Sequence, residues 1–142
     1  MNAPDRAAAA ALPSPVAWRD AAGQHGELFA PLDPGARIGL IGRTAPARML
    51  VWQAGAAGAV EARVEPFAGY AAAGADIVLA ADDAALADIG AAPGAQLFEA
   101  LRAGIRAGHV VCYVLKRRCV LEERGFEELL DALGFAFMGA CR

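Results

Sequence analysis

Four short apolar runs, each flanked by glycine, proline or charged residues, most constrain the fold of this chain. They occupy residues 36–42, 59–67, 75–82 and 109–115. Runs of this length that are rich in Val and Ile and bounded by turn signals predict β-strands rather than helices. The second run alternates Val60, Ala62 and Val64 with charged residues, so it predicts a strand with one solvated face. The other three predict strands that are buried on both faces.

Helical patterns lie between or after these strands, at residues 83–89, 95–107 and 126–134. In the second of them, Leu97, Leu101 and Ile105 recur at helical spacing, and Gly108 is suited to end the helix. Alternation of helices with strands buried on both faces is typical of α/β proteins. We therefore predict a three-layer α/β sandwich with a mostly parallel sheet of about four to five strands.

Residues 43–58 fit two different structures. Thr44 is a suitable N-cap and Pro46 falls in the first turn, which favours a helix. A β-hairpin that pairs residues 48–53 with residues 59–66 is the alternative, because the first of these segments is a contiguous apolar run. The helix is the favoured interpretation.

A single domain is expected, because 142 residues can bury a core without disulfides or metal ions. Residues 1–15 are rich in alanine and proline and predict a flexible leader. Residues 16–142 then form one α/β domain, in which residues 16–35 suit a loose hairpin. Residues 135–138 suit a last, apolar edge strand at which a homo-oligomer could pair.

The charge balance argues against several classes of partner. A net charge of -3 disfavours nucleic-acid binding, since the basic run Lys116–Arg118 is too short to contact a phosphate backbone. There is no apolar stretch long enough to span a bilayer, so no membrane partner is expected. The three cysteines lack zinc-ligand spacing and imply no disulfide framework. We therefore predict a reduced, cytoplasmic protein without a metal or cofactor.

The scarcity of nucleophiles and bases narrows the chemistry further. The chain has one serine, one threonine and one lysine, which are Ser14, Thr44 and Lys116. This composition excludes a phosphate-binding loop of the G-x-x-x-x-G-K-[ST] type and a serine nucleophile on a strand-to-helix turn. His25 and His109 are expected to be polar loop or strand-end residues.

A ligand site is predicted at the carboxyl ends of the strands, where open parallel sheets bind their ligands. The polar residues that follow three of the predicted strands are Arg43, Thr44, Asp82, Asp83, Lys116, Arg117 and Arg118. The cations and a helix N-terminus would suit an anion. The aspartates would pair with the cations or accept hydrogen bonds from hydroxyl groups of the ligand.

The cysteines provide a second candidate site. Cys112 lies in the strongest predicted strand and is expected to be a small core residue, although it could assist a neighbouring thiol. Cys119 follows three cations, which would lower the pKa of its thiol. The segment "VVCYVLKRRC", followed by Arg124 and Gly125, resembles the DsrE/TusD-like sulfur-relay proteins over about 20 residues. The resemblance implies a cysteine that carries a persulfide and passes sulfur to a partner protein.

Three functions therefore remain open at this point. The favoured one is a small accessory or binding domain that recognises a protein partner or a small anionic ligand. The second is a thiol-dependent sulfur carrier or redox protein that uses Cys119. The third is a small enzyme that uses Asp82 and Asp83 with an arginine clamp, so whether the protein is an enzyme stays undecided.

Overall fold

The computed structural model describes residues 11–135. Within them the chain forms six α-helices and five β-strands. The helices are α1 (Pro15–Gly23), α2 (Gly26–Phe29), α3 (Asp83–Ala91), α4 (Gly94–Arg106), α5 (Arg118–Glu123) and α6 (Glu127–Leu133). The strands are β1 (Arg37–Gly42), β2 (Arg48–Ala54), β3 (Val60–Pro66), β4 (Ile77–Ala81) and β5 (Val110–Val114).

The five strands form one mixed sheet in the order β3-β2-β1-β4-β5. Only β1 and β4 pair in parallel, with Ile38 opposite Ile77, and the three other pairings are antiparallel. The prediction of a mostly parallel sheet was therefore wrong. For two of the three antiparallel pairings, the reason is that β1, β2 and β3 follow one another through short turns. Short turns join only antiparallel strands, whereas parallel neighbours need a long crossover.

Within residues 11–135 the α-helices cover one face of the sheet only, so the predicted three-layer sandwich was also wrong. Buried residues of all six helices share one core with side chains from this face, such as Leu40, Trp52 and Leu79. The opposite face carries a smaller cluster that includes Ile41, Met49, Val51, Val78 and Ala80. The connection between β3 and β4 covers this second cluster, and it contributes Phe67, Tyr70, Ala73 and Ala75.

Residues 48–66 form the hairpin of β2 and β3, so the favoured helix was wrong and the alternative was right. Arg48 lies opposite Pro66 and Ala54 lies opposite Val60. β2 lies inside the sheet, where both faces are covered, and this explains its continuous apolar run. Gly39 of β1 makes room for this packing, because a Cβ there would lie 2.3 Å from the sulfur of Met49.

Residues 16–35 contain α1 and α2 rather than a loose hairpin. Ser14 begins α1 as its N-cap, and the backbone N–H of Ala17 donates to its hydroxyl at 3.1 Å. Trp18 of this helix stacks on Trp52 of β2, with ring centroids 3.7 Å apart. The indole N–H of Trp52 also donates to the carbonyl of Trp18 at 2.5 Å. α1 is thus held to β2.

The remaining element predictions agree with the structure to within a few residues. The strands predicted at residues 36–42, 59–67, 75–82 and 109–115 correspond to β1, β3, β4 and β5, and the three predicted helices correspond to α3, α4 and α6. Helix α5 was not predicted. The predicted leader lies outside the described residues for positions 1–10, and so does the predicted last strand after Phe135.

Candidate functional site

The mixed sheet separates the residues that the parallel arrangement would have gathered. β5 runs antiparallel to β4, so Val110 lies opposite Ala81 and Val114 lies opposite Ile77. The residues after β5 therefore lie beside the beginning of β4 rather than beside its end. We call the end of the sheet at which β4 finishes, next to Asp82, the Asp82 end. The opposite end of the sheet, at which β5 finishes next to Lys116, is the Lys116 end. The two ends are about 20 Å apart along β4, at roughly 3.3 Å per residue.

The Asp82 end holds four of the predicted ligand-binding residues: Arg43, Thr44, Asp82 and Asp83. Arg43 and Thr44 are exposed in the turn from β1 to β2, and Thr44 is not a helix cap because no helix begins there. Asp82 is the N-cap of α3, since the backbone N–H of Ala85 donates to its carboxylate at 2.9 Å. Asp83 is the first residue of that helix.

His109 joins this end through a contact that the sequence did not reveal. Its Nδ1 lies 2.5 Å from the second carboxylate oxygen of Asp82. The backbone N–H of Ala85 and this histidine lower the pKa of the Asp82 carboxyl. Asp82 is therefore ionised near neutral pH, where it can accept hydrogen bonds but cannot donate a proton. This finding speaks against Asp82 as a general acid.

The Lys116 end is built around a buried carboxylate. Asp76 is only 4% exposed, and it directly precedes β4. Its Oδ2 accepts a hydrogen bond from the backbone N–H of Arg37 at 2.9 Å and lies 3.3 Å from a terminal nitrogen of Arg124. A buried charge needs such partners, so Asp76 fixes the guanidinium of Arg124 at this edge. The Nε of Arg124 is also buried and has no hydrogen-bond partner among residues 11–135.

Arg124 is held here by the backbone as well. It follows α5, and its carbonyl accepts a hydrogen bond from the backbone N–H of Asp33 at 2.9 Å. Gly125 lets this segment approach the loop before β1. Its φ is +84°, and a Cβ at this position would lie 2.0 Å from the carbonyl oxygen of Pro31. The Arg-Gly pair that suggested a sulfur-relay protein thus has a structural role in this fold.

Lys116 and Arg124 line a common groove of about 380 Å³. Its other lining residues are Gly35, Gly74, Asp76 and Val120. Lys116 is exposed and forms no ion pair or hydrogen bond with any residue in the range 11–135. Two cations face one carboxylate in this groove, and the balance is positive.

A second depression of about 220 Å³ adjoins this groove and shares Gly74 and Lys116 with it. Its other lining residues are Tyr70, Ala71, Ala75 and Leu115, whose side chains are apolar or aromatic. Burial, together with neighbouring Tyr113, raises the pKa of the Tyr70 hydroxyl. This hydroxyl is therefore protonated at neutral pH and can donate a hydrogen bond.

Arg117 and Arg118 lie at the same end of the sheet but line neither depression. Arg117 precedes α5 as its N-cap, and Arg118 is the first residue of that helix. Of the seven predicted ligand-binding residues, the structure thus brings four to one end and three to the other. Their role in binding stays a prediction.

Cys112 and Cys119, the two cysteines predicted as site residues, differ in the chemical state of their sulfur. Burial raises the pKa of the Cys112 thiol to about 12, which leaves almost no thiolate at neutral pH. Cys119 lies in α5 and is disulfide-bonded, so its sulfur is not a free thiol in this structure, and the expectation of reduced cysteines was wrong for this residue. A role of Cys119 in sulfur transfer stays a prediction, and it would require cleavage of this disulfide.

Asp76 and Arg124 are the charged groove residues that the sequence analysis did not assign to a ligand site. An acidic residue directly before the apolar run "IVLAA" was a usable signal, because a carboxylate at the start of a buried strand needs a partner. The identity of that partner could not be read from the sequence, since Arg124 lies 48 positions away.

Comparisons with known proteins give little. The sequence matches no protein-family model and no curated protein. One solved structure with a similar arrangement is a conserved hypothetical protein from Thermus thermophilus, described as possibly a sterol carrier protein. It is 14% identical, the alignment covers 89% of this chain and 92% of that chain, and the TM-score is 0.45. No helix within residues 11–135 is long and apolar enough to cross a membrane.

Proposed function

We propose that this protein is a small binding domain for an organic anion, which it holds at the Lys116 end of the sheet. The observation that carries the proposal is the groove in which Lys116, unpaired within residues 11–135, faces Arg124. Arg124 is already oriented by buried Asp76. A carboxylate or phosphate group between these two cations would form charge-assisted hydrogen bonds.

The adjoining depression favours an anion with an apolar part over a simple inorganic ion. Lys116 lies between the groove and the surface formed by Tyr70 and Leu115. A ligand whose charged group contacts Lys116 could therefore rest an aliphatic or aromatic group on this surface. Ligand sites commonly combine such an apolar lining with a few polar groups that fix orientation.

The proposal is tested by thermal unfolding in the presence of phenyl phosphate, with inorganic phosphate and phenol as matched partial ligands. We expect phenyl phosphate to stabilise the protein most, because it occupies both depressions. At a concentration one hundred times its Kd, the free energy of unfolding would rise by about 2.7 kcal/mol. Equal unfolding temperatures with and without every compound would contradict the proposal.

Two variants locate the site. Lys116→Gln should weaken binding of phenyl phosphate about tenfold, because it removes one charged hydrogen bond. It should leave the unliganded protein as stable as before, since Lys116 has no partner within residues 11–135. Arg43→Gln removes a cation at the Asp82 end and should leave affinity unchanged. Weaker binding in Arg43→Gln together with unchanged binding in Lys116→Gln would place the site at the Asp82 end.

A further inference from the structure

The two edge strands of the sheet differ in how they are protected. On the outside of β3, Glu61, Arg63 and Glu65 supply charge, and Pro66 ends the strand. Charged residues and proline on an edge strand discourage pairing with other chains. β5, with the sequence VVCYV, contains neither. No strand within residues 11–135 pairs with its outer side.

β5 also exposes apolar side chains on both of its faces. Val111 is 37% exposed, Tyr113 is 42% exposed and Val114 is 53% exposed. Val111 and Tyr113 point to one face and Val114 points to the other, because side chains alternate along a strand. An uncharged edge strand with exposed apolar residues is a template for pairing with another strand.

Hydrogen bonds to β4 identify the backbone groups that face outward. The N–H of Leu115 donates to the carbonyl of Asp76, and the N–H of Asp82 donates to the carbonyl of His109, both at 2.9 Å. Hydrogen-bonded positions alternate in an antiparallel pair, so residues 109, 111, 113 and 115 pair with β4. The backbone groups of residues 110, 112 and 114 therefore point away from the sheet.

We propose that β5 pairs antiparallel with β5 of a second copy of this chain, around a twofold axis at Cys112. Residues whose backbone groups face outward must pair with residues of the same kind in the other copy. Among the registers that satisfy this condition, only the one centred on Cys112 pairs all five residues of β5. Val110 of one copy then faces Val114 of the other. The result is one continuous sheet of ten strands, with an interface that is the same surface on both copies.

The charges beside β5 support a second copy as the partner. The strand begins next to Asp82 and Asp83 and ends next to Lys116 and Arg117. Antiparallel pairing places the acidic end of one copy beside the basic end of the other, at both ends of the interface. Parallel pairing would place like charges together, which is unfavourable.

Sedimentation equilibrium of the full chain tests the proposal. We expect a species of twice the 14.6 kDa chain mass at high protein concentration. Val114→Lys should raise the dissociation constant by at least about tenfold, because a lysine on the edge opposes strand pairing. Val114→Pro should have the same effect without disturbing β4, since it removes only an outward N–H. A monomer at every concentration would overturn the proposal.

Val16→Lys is the matched control. Val16 lies in α1 and is 58% exposed, against 53% for Val114, so the two substitutions change surface chemistry equally. The control should keep the dissociation constant of the natural chain. An equal loss of dimer in Val16→Lys and Val114→Lys would place the interface elsewhere.

Amide hydrogen exchange distinguishes a second copy from another segment of the same chain. The amides of Val110, Cys112 and Val114 should become protected only as the dimer forms. Protection that is already complete in the dilute monomer would mean that the chain covers its own edge. Rapid exchange at every concentration would mean that the edge stays open. Either of these results would overturn the proposal.

Discussion

At the residue scale, Gly125 is the position beside the groove at which we expect a substitution to be most destabilising. Its backbone is left-handed, which costs about 1–2 kcal/mol for a residue with a Cβ. The carbonyl oxygen of Pro31 also occupies the place of that Cβ. We therefore expect Gly125→Ala to lower the free energy of unfolding by more than the backbone cost alone, as measured by urea denaturation. It should also weaken anion binding, because Arg124 would shift.

Gly108→Ala provides a matched control for this prediction. Gly108 has nearly the same φ, +83°, but no atom of residues 11–135 lies within 4 Å of a Cβ built there. This variant should therefore lose only the backbone cost. Equal losses of stability in the two variants would show that the contact with Pro31 is unimportant.

Contacts between individual side chains were the part of the structure that the sequence predicted least well. His109 could be read as an ordinary polar strand-end residue, and only the fold places it 2.5 Å from Asp82. The same holds for Asp76 and Arg124, whose charges meet only after the chain returns from α5 to the sheet. Local sequence windows contain no information about such long-range pairs.

At the scale of elements, β1, β2 and β3 are joined by a polar network on the face that no α-helix of residues 11–135 covers. The guanidinium of Arg37 pairs with Glu65 and donates to Gln53 at 2.9 Å. Arg63 donates to the same two residues, at 2.8 Å to Glu65 and 2.7 Å to Gln53. The hydrogen bond from Arg37, followed by that from Arg63, lowers the pKa of Glu65 below its ordinary value of 4.5 despite partial burial.

This network predicts a pH dependence of stability. A carboxyl with a lowered pKa in the folded state contributes stability above its unfolded pKa, near 4.5, and loses it as pH falls through the folded pKa. Glu65→Gln should therefore reduce the free energy of unfolding at pH 7. The difference from the natural chain should shrink in acid, in urea denaturation series between about pH 3 and 7.

Glu61→Gln is the control for this series. Glu61 approaches Arg63 only at 3.6 Å and its side chain is 78% exposed, so its ion pair contributes little. We expect this variant to follow the natural chain at every pH. A Glu65→Gln difference that stayed constant with pH would contradict a role for ionised Glu65.

Element type was more predictable than element pairing. The apolar runs of β1, β4 and β5 and the helical spacing in α4 identified these elements correctly. β2 was harder, because a contiguous apolar run fits a buried strand and a buried helix equally well. α5 was missed because it is a short helix of six residues that begins among three cations.

At the scale of the whole molecule, the direction of β5 decides which residues can act together. A sequence of alternating strands and helices suggested parallel strands, and parallel strands would bring Asp82, Arg43 and Lys116 to one edge. The observed antiparallel pairing of β4 and β5 sends Lys116 to the other edge, where it meets Arg124. The proposed anion site thus still includes Lys116, but the neighbours of Lys116 are not the residues that the sequence analysis predicted.

The most direct test of the anion-binding proposal is a titration of the ¹⁵N-labelled chain with phenyl phosphate, followed by amide chemical shifts. We predict saturable shifts at Gly35, Gly74, Lys116 and Arg124, which line the groove, and unchanged resonances at Arg43. Saturable shifts that cluster instead at the Asp82 end, or no saturable shifts at all, would contradict the account.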